Sequence, residues 1–167
     1  MARNVEIKAR VVDRDALVRR AEALATEGPI EIAQDDTFFP CEHGRLKLRA
    51  FSEERGELIF YRRPDVGGPR ESFYLRSPTS SPATLRESLA LAYGIAGSVR
   101  KQRTLFLCGR SRIHVDRVDG LGDFVEIEVV LGDSDTVEAG TREAHDLMAA
   151  LGIEAAHLVE GAYVDLL

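Results

Sequence analysis

The 167-residue chain has no tryptophan, two methionines and two cysteines. Cys41 and Cys108 form no closely spaced pair, which excludes a disulfide framework and a paired-cysteine metal motif. No apolar run approaches the roughly 20 residues that a membrane-crossing helix needs, so no membrane partner is expected. The N-terminus opens straight into an alternating pattern without the blocks of a signal peptide, and the cytoplasm is the expected compartment. A basic surplus is missing as well: 22 Lys and Arg face 28 Asp and Glu, for a formal net charge of −6. No stripe of aromatics interleaves with basic residues, so no nucleic-acid partner is expected. The length, with no low-complexity linker, predicts a single domain over residues 1–167.

What the chain does contain is alternation. In Val5-Glu6-Ile7-Lys8-Ala9 the aliphatics and charges take turns, and Phe124-Val125-Glu126-Ile127-Glu128-Val129 repeats the pattern near the other end. A strand sends successive side chains to opposite faces, so each stretch has one charged and one aliphatic face. The same period predicts strands near 3–11, 34–39, 44–52, 56–63, 70–77, 98–108, 111–118 and 123–131, with turn signals between them. Helical spacing predicts helices over 13–27, 82–93 and 134–151. The second follows Ser81-Pro82 and stops at Gly94, and the third stops at Gly152. The expected fold is α+β: an eight-stranded antiparallel β-barrel with helices packed outside. Eight strands can enclose side chains or one small ligand.

The charged faces hold seven basic residues: Lys8, Lys47, Arg49, Arg63, Lys101, Arg103 and Arg112. Four acids join them: Glu6, Asp116, Glu126 and Glu128. This subset is cationic in a chain whose net charge is −6, so the remainder is more acidic still. For any one strand, a polar face turned to solvent is the plain explanation. Segregation of the basic charge onto strand faces has a better one, a site for a polyanion. Carboxylates inside a basic cavity suit a hard divalent cation, Mg²⁺ or Mn²⁺, bridging them to phosphate oxygens. The barrel would then be polar within, with its aliphatic faces outside and covered by helices.

The residues also resemble the CYTH superfamily, the triphosphate tunnel metalloenzymes, whose members include class IV adenylyl cyclases, thiamine triphosphatases and inorganic triphosphatases. The family signature on the first strand, Glu-x-Glu-x-Lys, is matched by Asn4-Val5-Glu6-Ile7-Lys8. The similarity continues through "GRLKLR", "VRKQR", "RIHVDRVDGLGDFVEIE" and the terminal "AYVDLL", over essentially the whole chain. It implies a tunnel that binds a triphosphate-bearing small molecule. Glu6, Glu126 and Glu128 would hold metal, with Asp116 a further ligand or a partner behind them. Lys8, Lys47, Arg49, Arg63, Lys101, Arg103 and Arg112 would bind phosphates, and Lys8, Arg103 and Glu126 would carry the catalysis. The resemblance favours the class IV branch, in which ATP gives cyclic AMP and pyrophosphate and a homodimer is compatible. Hydrolysis of thiamine triphosphate or inorganic triphosphate is the alternative. Asn4 replaces the first signature glutamate with a neutral oxygen, a weaker ligand for a hard cation, and it is the feature that favours a third reading, non-catalytic triphosphate or polyphosphate binding. Tyr61, Tyr74 and a lysine are candidates for a general base, and His114 shares a face with Arg112 and Asp116.

Overall fold

The computed structural model describes residues 2–167. Eight strands are present: β1 (Ala2–Arg10), β2 (Glu27–Phe39), β3 (Arg45–Ala50), β4 (Gly56–Arg62), β5 (Arg70–Thr79), β6 (Gly97–Cys108), β7 (Ser111–Val118) and β8 (Gly122–Leu131). They close into a barrel in the order β1-β5-β4-β3-β2-β6-β7-β8. Every pairing is antiparallel, including the β8–β1 seam that shuts the ring. Closure removes the open edges that an eight-stranded sheet would otherwise present. The helices are α1 (Arg14–Leu24), α2 (Pro82–Tyr93), α3 (Val137–Ala150) and α4 (Tyr163–Leu166), with one 3-10 turn at Ala155–His157.

The larger hydrophobic core lies outside the barrel wall. Val5, Ile7 and Ala9 of β1, Ile113 and Val115 of β7, and Val125, Ile127 and Val129 of β8 turn outward. They pack against Leu17 and Ala21 of α1 and against Ala144 and Leu147 of α3. This is the inverted barrel that the aliphatic alternation predicts. Both covering helices start at side-chain caps: Asp13 accepts from the Ala16 N–H and Thr136 from the Ala139 N–H, each at 3.1 Å. Such caps satisfy backbone donors that the first helical turn leaves free.

A second core closes one end of the tunnel. Phe38, Ile59, Tyr61, Val99 and Phe124 meet Val159 and Tyr163 of the C-terminal segment. That segment is tied down by polar contacts. The Gly161 carbonyl accepts from Lys8 Nζ at 3.1 Å and from the Arg63 guanidinium at 3.1 Å, and Arg45 donates to Asp165 at 3.0 Å. A Cβ at Gly97 would lie 2.4 Å from Val164 Cγ2, so glycine there admits α4 against β6.

Two sequence-based boundaries are corrected. The first helix stops at Leu24 and does not reach residue 27, and β2 begins at Glu27, well before residue 34. Residues 28–33, left between the expected helix and strand, belong to β2, and the Gly28-Pro29 step is taken up as a register shift between β2 and β6. Gly28 has φ 110°, and a Cβ there would sit 2.6 Å from the Leu105 carbonyl oxygen, so the irregularity requires glycine.

Candidate triphosphate and metal site

The inward faces of the strands line a cavity of about 280 Å³. Eight cationic side chains face it: Lys8, Lys47, Arg49, Arg63, Arg76, Lys101, Arg103 and Arg112. Five carboxylates accompany them: Glu6, Asp36, Glu57, Glu126 and Glu128. The barrel therefore brings together all seven basic residues singled out in the sequence, six from β1, β3, β6 and β7 and Arg63 from just beyond the end of β4. The charges sort into three groups.

The first group centres on Asp36. Its carboxylate accepts from Lys47 Nζ at 3.0 Å and twice from Arg49 at 2.8 Å, with Lys101 Nζ at 3.9 Å. Burial would raise this carboxyl, but Arg49 and Lys47 outweigh it and hold Asp36 well below the usual carboxylate range. Burial lowers Lys47 to about 8, with Arg49 adding to the effect. Burial likewise lowers Lys101 well below an ordinary lysine, reinforced by Arg103. Sequence reasoning missed Asp36, although it shares the inward face of β2 with Gln34 and Phe38 and the two-residue period would have found it.

The second group centres on Arg103. Its guanidinium donates to both oxygens of Asp116, at 2.7 and 2.8 Å, and the Tyr163 hydroxyl donates to the same carboxylate at 2.9 Å. Asp116 is 0% exposed and does not line the cavity. Of its two expected places, a further ligand or a partner behind the ligands, this geometry suits the second. Both oxygens are engaged, and its position suits aiming Arg103 inward. The Tyr163 ring lies under Lys8 at 4.1 Å and under Lys101 at 4.9 Å, forming a floor for two cations.

The third group is acidic. Glu126 lies 3.6 Å from Lys8 Nζ and 3.6 Å from Arg103. Burial would raise it, but Lys8 and Arg103 hold it well below the usual range. Glu128 behaves in the opposite way: burial, then Glu6 and Glu126, push it up to about 7. Donor atoms of His114, Glu126 and Glu128 all lie within 4.8 Å of one another. Buried carboxylates that repel one another are a place where a cation relieves strain, so these residues fit a divalent metal. Glu6 neighbours that trio as the cross-strand partner of Glu128, but it is bonded to Arg63, with Arg70 at 3.8 Å. Arg70 was overlooked in the sequence, although it shares the parity of Ser72, Tyr74 and Arg76 on β5.

Four buried polar atoms on these inward strand faces have no hydrogen-bond partner: Asn4 Oδ1, Gln34 Oε1, Arg70 Nε and His114 Nδ1. Buried polar groups are normally satisfied, and the three on cavity-lining residues, Asn4, Gln34 and His114, are free to meet a ligand. Tyr61, one of the candidate bases, is pushed up to about 12 by burial, so it stays protonated near neutral pH and does not act as the resting base.

The lysines give a pH prediction. An anion binds the protonated amine, and burial lets Lys47 lose its proton near pH 8, where an exposed lysine would still be charged. With metal chelated, tripolyphosphate affinity should fall between pH 7 and 9, approaching tenfold per pH unit for each lysine that has lost its proton. Calorimetric titration across that range checks this, and a flat profile would contradict it.

An inverted antiparallel barrel with a cation-lined interior and an acidic trio defines the class of protein. The CYTH domain model matches residues 2–163, and the chain belongs to that family. Among curated proteins it is similar to the adenylate cyclase CyaB of Aeromonas hydrophila, 25% identical over 167 residues that cover 95% of this chain and 85% of that one. Among solved structures, a protein from Pyrococcus horikoshii superposes with a TM-score of 0.84 at 22% identity, over 98% of this chain and 99% of that one. The Hippeastrum protein HpAC1, described as having a dominant triphosphatase activity, superposes with a TM-score of 0.68 at 16% identity, over 98% and 93% of the two chains. Among the described residues, no helix is long and apolar enough to cross a membrane.

Proposed function

We propose that this chain is a divalent-metal-dependent enzyme acting on a nucleoside or organic triphosphate held in the tunnel, with class IV adenylyl cyclase-like conversion of ATP to cyclic AMP and pyrophosphate as the first reading. The observation that carries it is the convergence of eight cations on one enclosed cavity that also holds an acidic cluster. Lys47, Arg49 and Lys101 form one clamp for phosphate oxygens, and Lys8, Arg63 and Arg103 form another. Glu126 and Glu128 would hold the metal, with Glu6 beside them. When bound, the metal supplies positive charge to the phosphate oxygens and to the leaving group.

Both chemistries open to this site depend on alignment and charge stabilisation. In cyclisation the ribose 3′-oxygen attacks the α-phosphorus, its proton is lost and pyrophosphate leaves. In hydrolysis water attacks the terminal phosphorus and phosphate leaves. The end of the cavity away from Tyr163 supports an organic group on the triphosphate. Ile32 and Leu105 lie farther along β2 and β6 than Phe38 and Val99, and with Phe51 they give the lining partly exposed apolar surface. Triphosphatase activity is the second reading, and the activity described for the Hippeastrum relative favours it.

Phosphorus NMR on ATP incubated with the protein and Mg²⁺ or Mn²⁺ tests the proposal. Pyrophosphate with a cyclic phosphodiester signal supports cyclisation, and phosphate with ADP supports hydrolysis. Unchanged ATP, thiamine triphosphate and tripolyphosphate would sink the enzymatic reading and leave triphosphate binding without turnover.

A further inference from the structure

We propose that the tunnel carries a mixed nitrogen–oxygen metal centre, with His114 Nδ1 as a ligand beside Glu126 and Glu128, and that it prefers a first-row transition dication such as Mn²⁺ to Mg²⁺. This rests on the metal-dependent reading of the tunnel and adds to it a ligand and a metal preference.

The sheet register assembles the three donors. His114 on β7 is the direct cross-strand partner of Glu126 on β8, and the next inward pair is Arg112 with Glu128. The three side chains therefore occupy neighbouring positions on one face. His114 Nδ1 lies 3.8 Å from Glu128 Oε1, and the ligand atoms of all three residues fall within 4.8 Å. Two donors on one octahedral ion with bonds of about 2.1 Å stand about 3 Å apart when adjacent and about 4.2 Å apart when opposite. A small side-chain rotation closes the set.

A histidine that serves only packing would satisfy its ring nitrogens within the protein. His114 is 5% exposed, and its Nδ1 has no hydrogen-bond partner. The two carboxylates likewise lack a cation at hydrogen-bonding distance among the described residues. The cations beside Glu126 stop at 3.6 Å, beyond hydrogen-bonding distance, whereas Lys47 and Arg49 approach Asp36, and Arg103 approaches Asp116, to 2.7–3.0 Å. Glu6 has its own partners in Arg63 and Arg70. Asp36, Asp116 and Glu6 are thus each bonded to a cation, whereas these two carboxylates and one imidazole face one another.

The donor types set the preference. Mg²⁺ takes oxygen ligands and gains little from imidazole, whereas transition dications accept nitrogen and oxygen together. An all-oxygen site would use Glu126 and Glu128 without His114.

The test uses the metal-free full chain and Mn²⁺ alone. Electron paramagnetic resonance counts bound Mn²⁺, and electron spin-echo modulation reports whether a ¹⁴N nucleus is coordinated. The wild type should show one nitrogen-coupled Mn²⁺ per chain. His114→Gln should lose the nitrogen coupling and bind Mn²⁺ about 10- to 100-fold more weakly, the scale of a lost ligand-sphere interaction. Its affinity for Mg²⁺, read by competition, should stay within about threefold. Mn²⁺ bound without nitrogen coupling overturns the proposal, as does an unchanged Mn²⁺-to-Mg²⁺ ratio in the variant or no Mn²⁺ binding by the wild type. The wild-type spectrum settles coordination even if the variant folds poorly. None of these readouts needs turnover, so failure of the enzymatic reading and failure of this centre are separate results.

Discussion

Glu126→Gln should cut turnover of the triphosphate on the order of 10³-fold while the barrel stays folded, the scale for removing one preorganised charge at a reacting centre. The substitution keeps shape and removes a charge that sits between Lys8 and Arg103, each 3.6 Å away. Arg103 keeps its bidentate bond to Asp116, so its buried guanidinium is not orphaned. The variant also relieves repulsion on Glu128, which is pushed up to about 7 by burial, Glu6 and Glu126. A melting temperature within a few degrees of wild type, together with lost Mn²⁺ binding and lost turnover, is the expected combination. Retained full activity would remove this acidic cluster from the mechanism.

Asp36→Asn should have the largest effect on stability. Asp36 is 1% exposed and is the carboxylate around which Lys47, Arg49 and Lys101 gather. Neutralising it leaves three buried cations facing one another. Breaking a buried pair on one side costs about 3–5 kcal/mol, which for a chain of this size corresponds to a melting shift on the order of 10 °C. The pH dependence follows from the sign of the shift. The folded state holds Asp36 below its unfolded value of 3.8, so its contribution is present above that pH and is lost as pH falls through the folded value. The variant should therefore lack part of the wild-type acid limb. Tripolyphosphate supplies the missing negative charge, so it should raise the variant's melting temperature more than that of the wild type. Equal melting of the two proteins, without ligand, would show that the cations do not depend on Asp36.

Much of this arrangement was legible in the sequence because a strand has an exact period. Lys47 and Arg49, Lys101 and Arg103, and Glu126 and Glu128 are each two residues apart, and parity alone places each pair on one face. Ring closure then brings the faces together. What parity does not give is which charges neutralise each other. Asp116 and Glu126 look alike in a sequence, yet one is locked to Arg103 and Tyr163 while the other faces the cavity. The difference depends on where Tyr163 docks after the chain has returned from α3, a long-range contact with no local pattern. The early start of β2 was hidden for a local reason: Gly28-Pro29 carries the signature of a turn but serves as an irregularity between paired strands.

The central claim is that the inward strand faces, and not the outer surface, bind the triphosphate. Calorimetric titration of tripolyphosphate against single charge-removing variants tests it most directly. Lys101→Met removes an interior cation whose nearest carboxylate is 3.9 Å away, so the fold loses little directly. Arg100→Met and Arg117→Met remove outward cations whose side chains are 72% and 65% exposed. Lys101→Met should weaken binding about tenfold or more, the scale of one charge-assisted hydrogen bond, while the two exterior variants stay within about twofold of wild type. Interior and exterior variants that bind equally well would place the polyanion outside the tunnel and contradict the account.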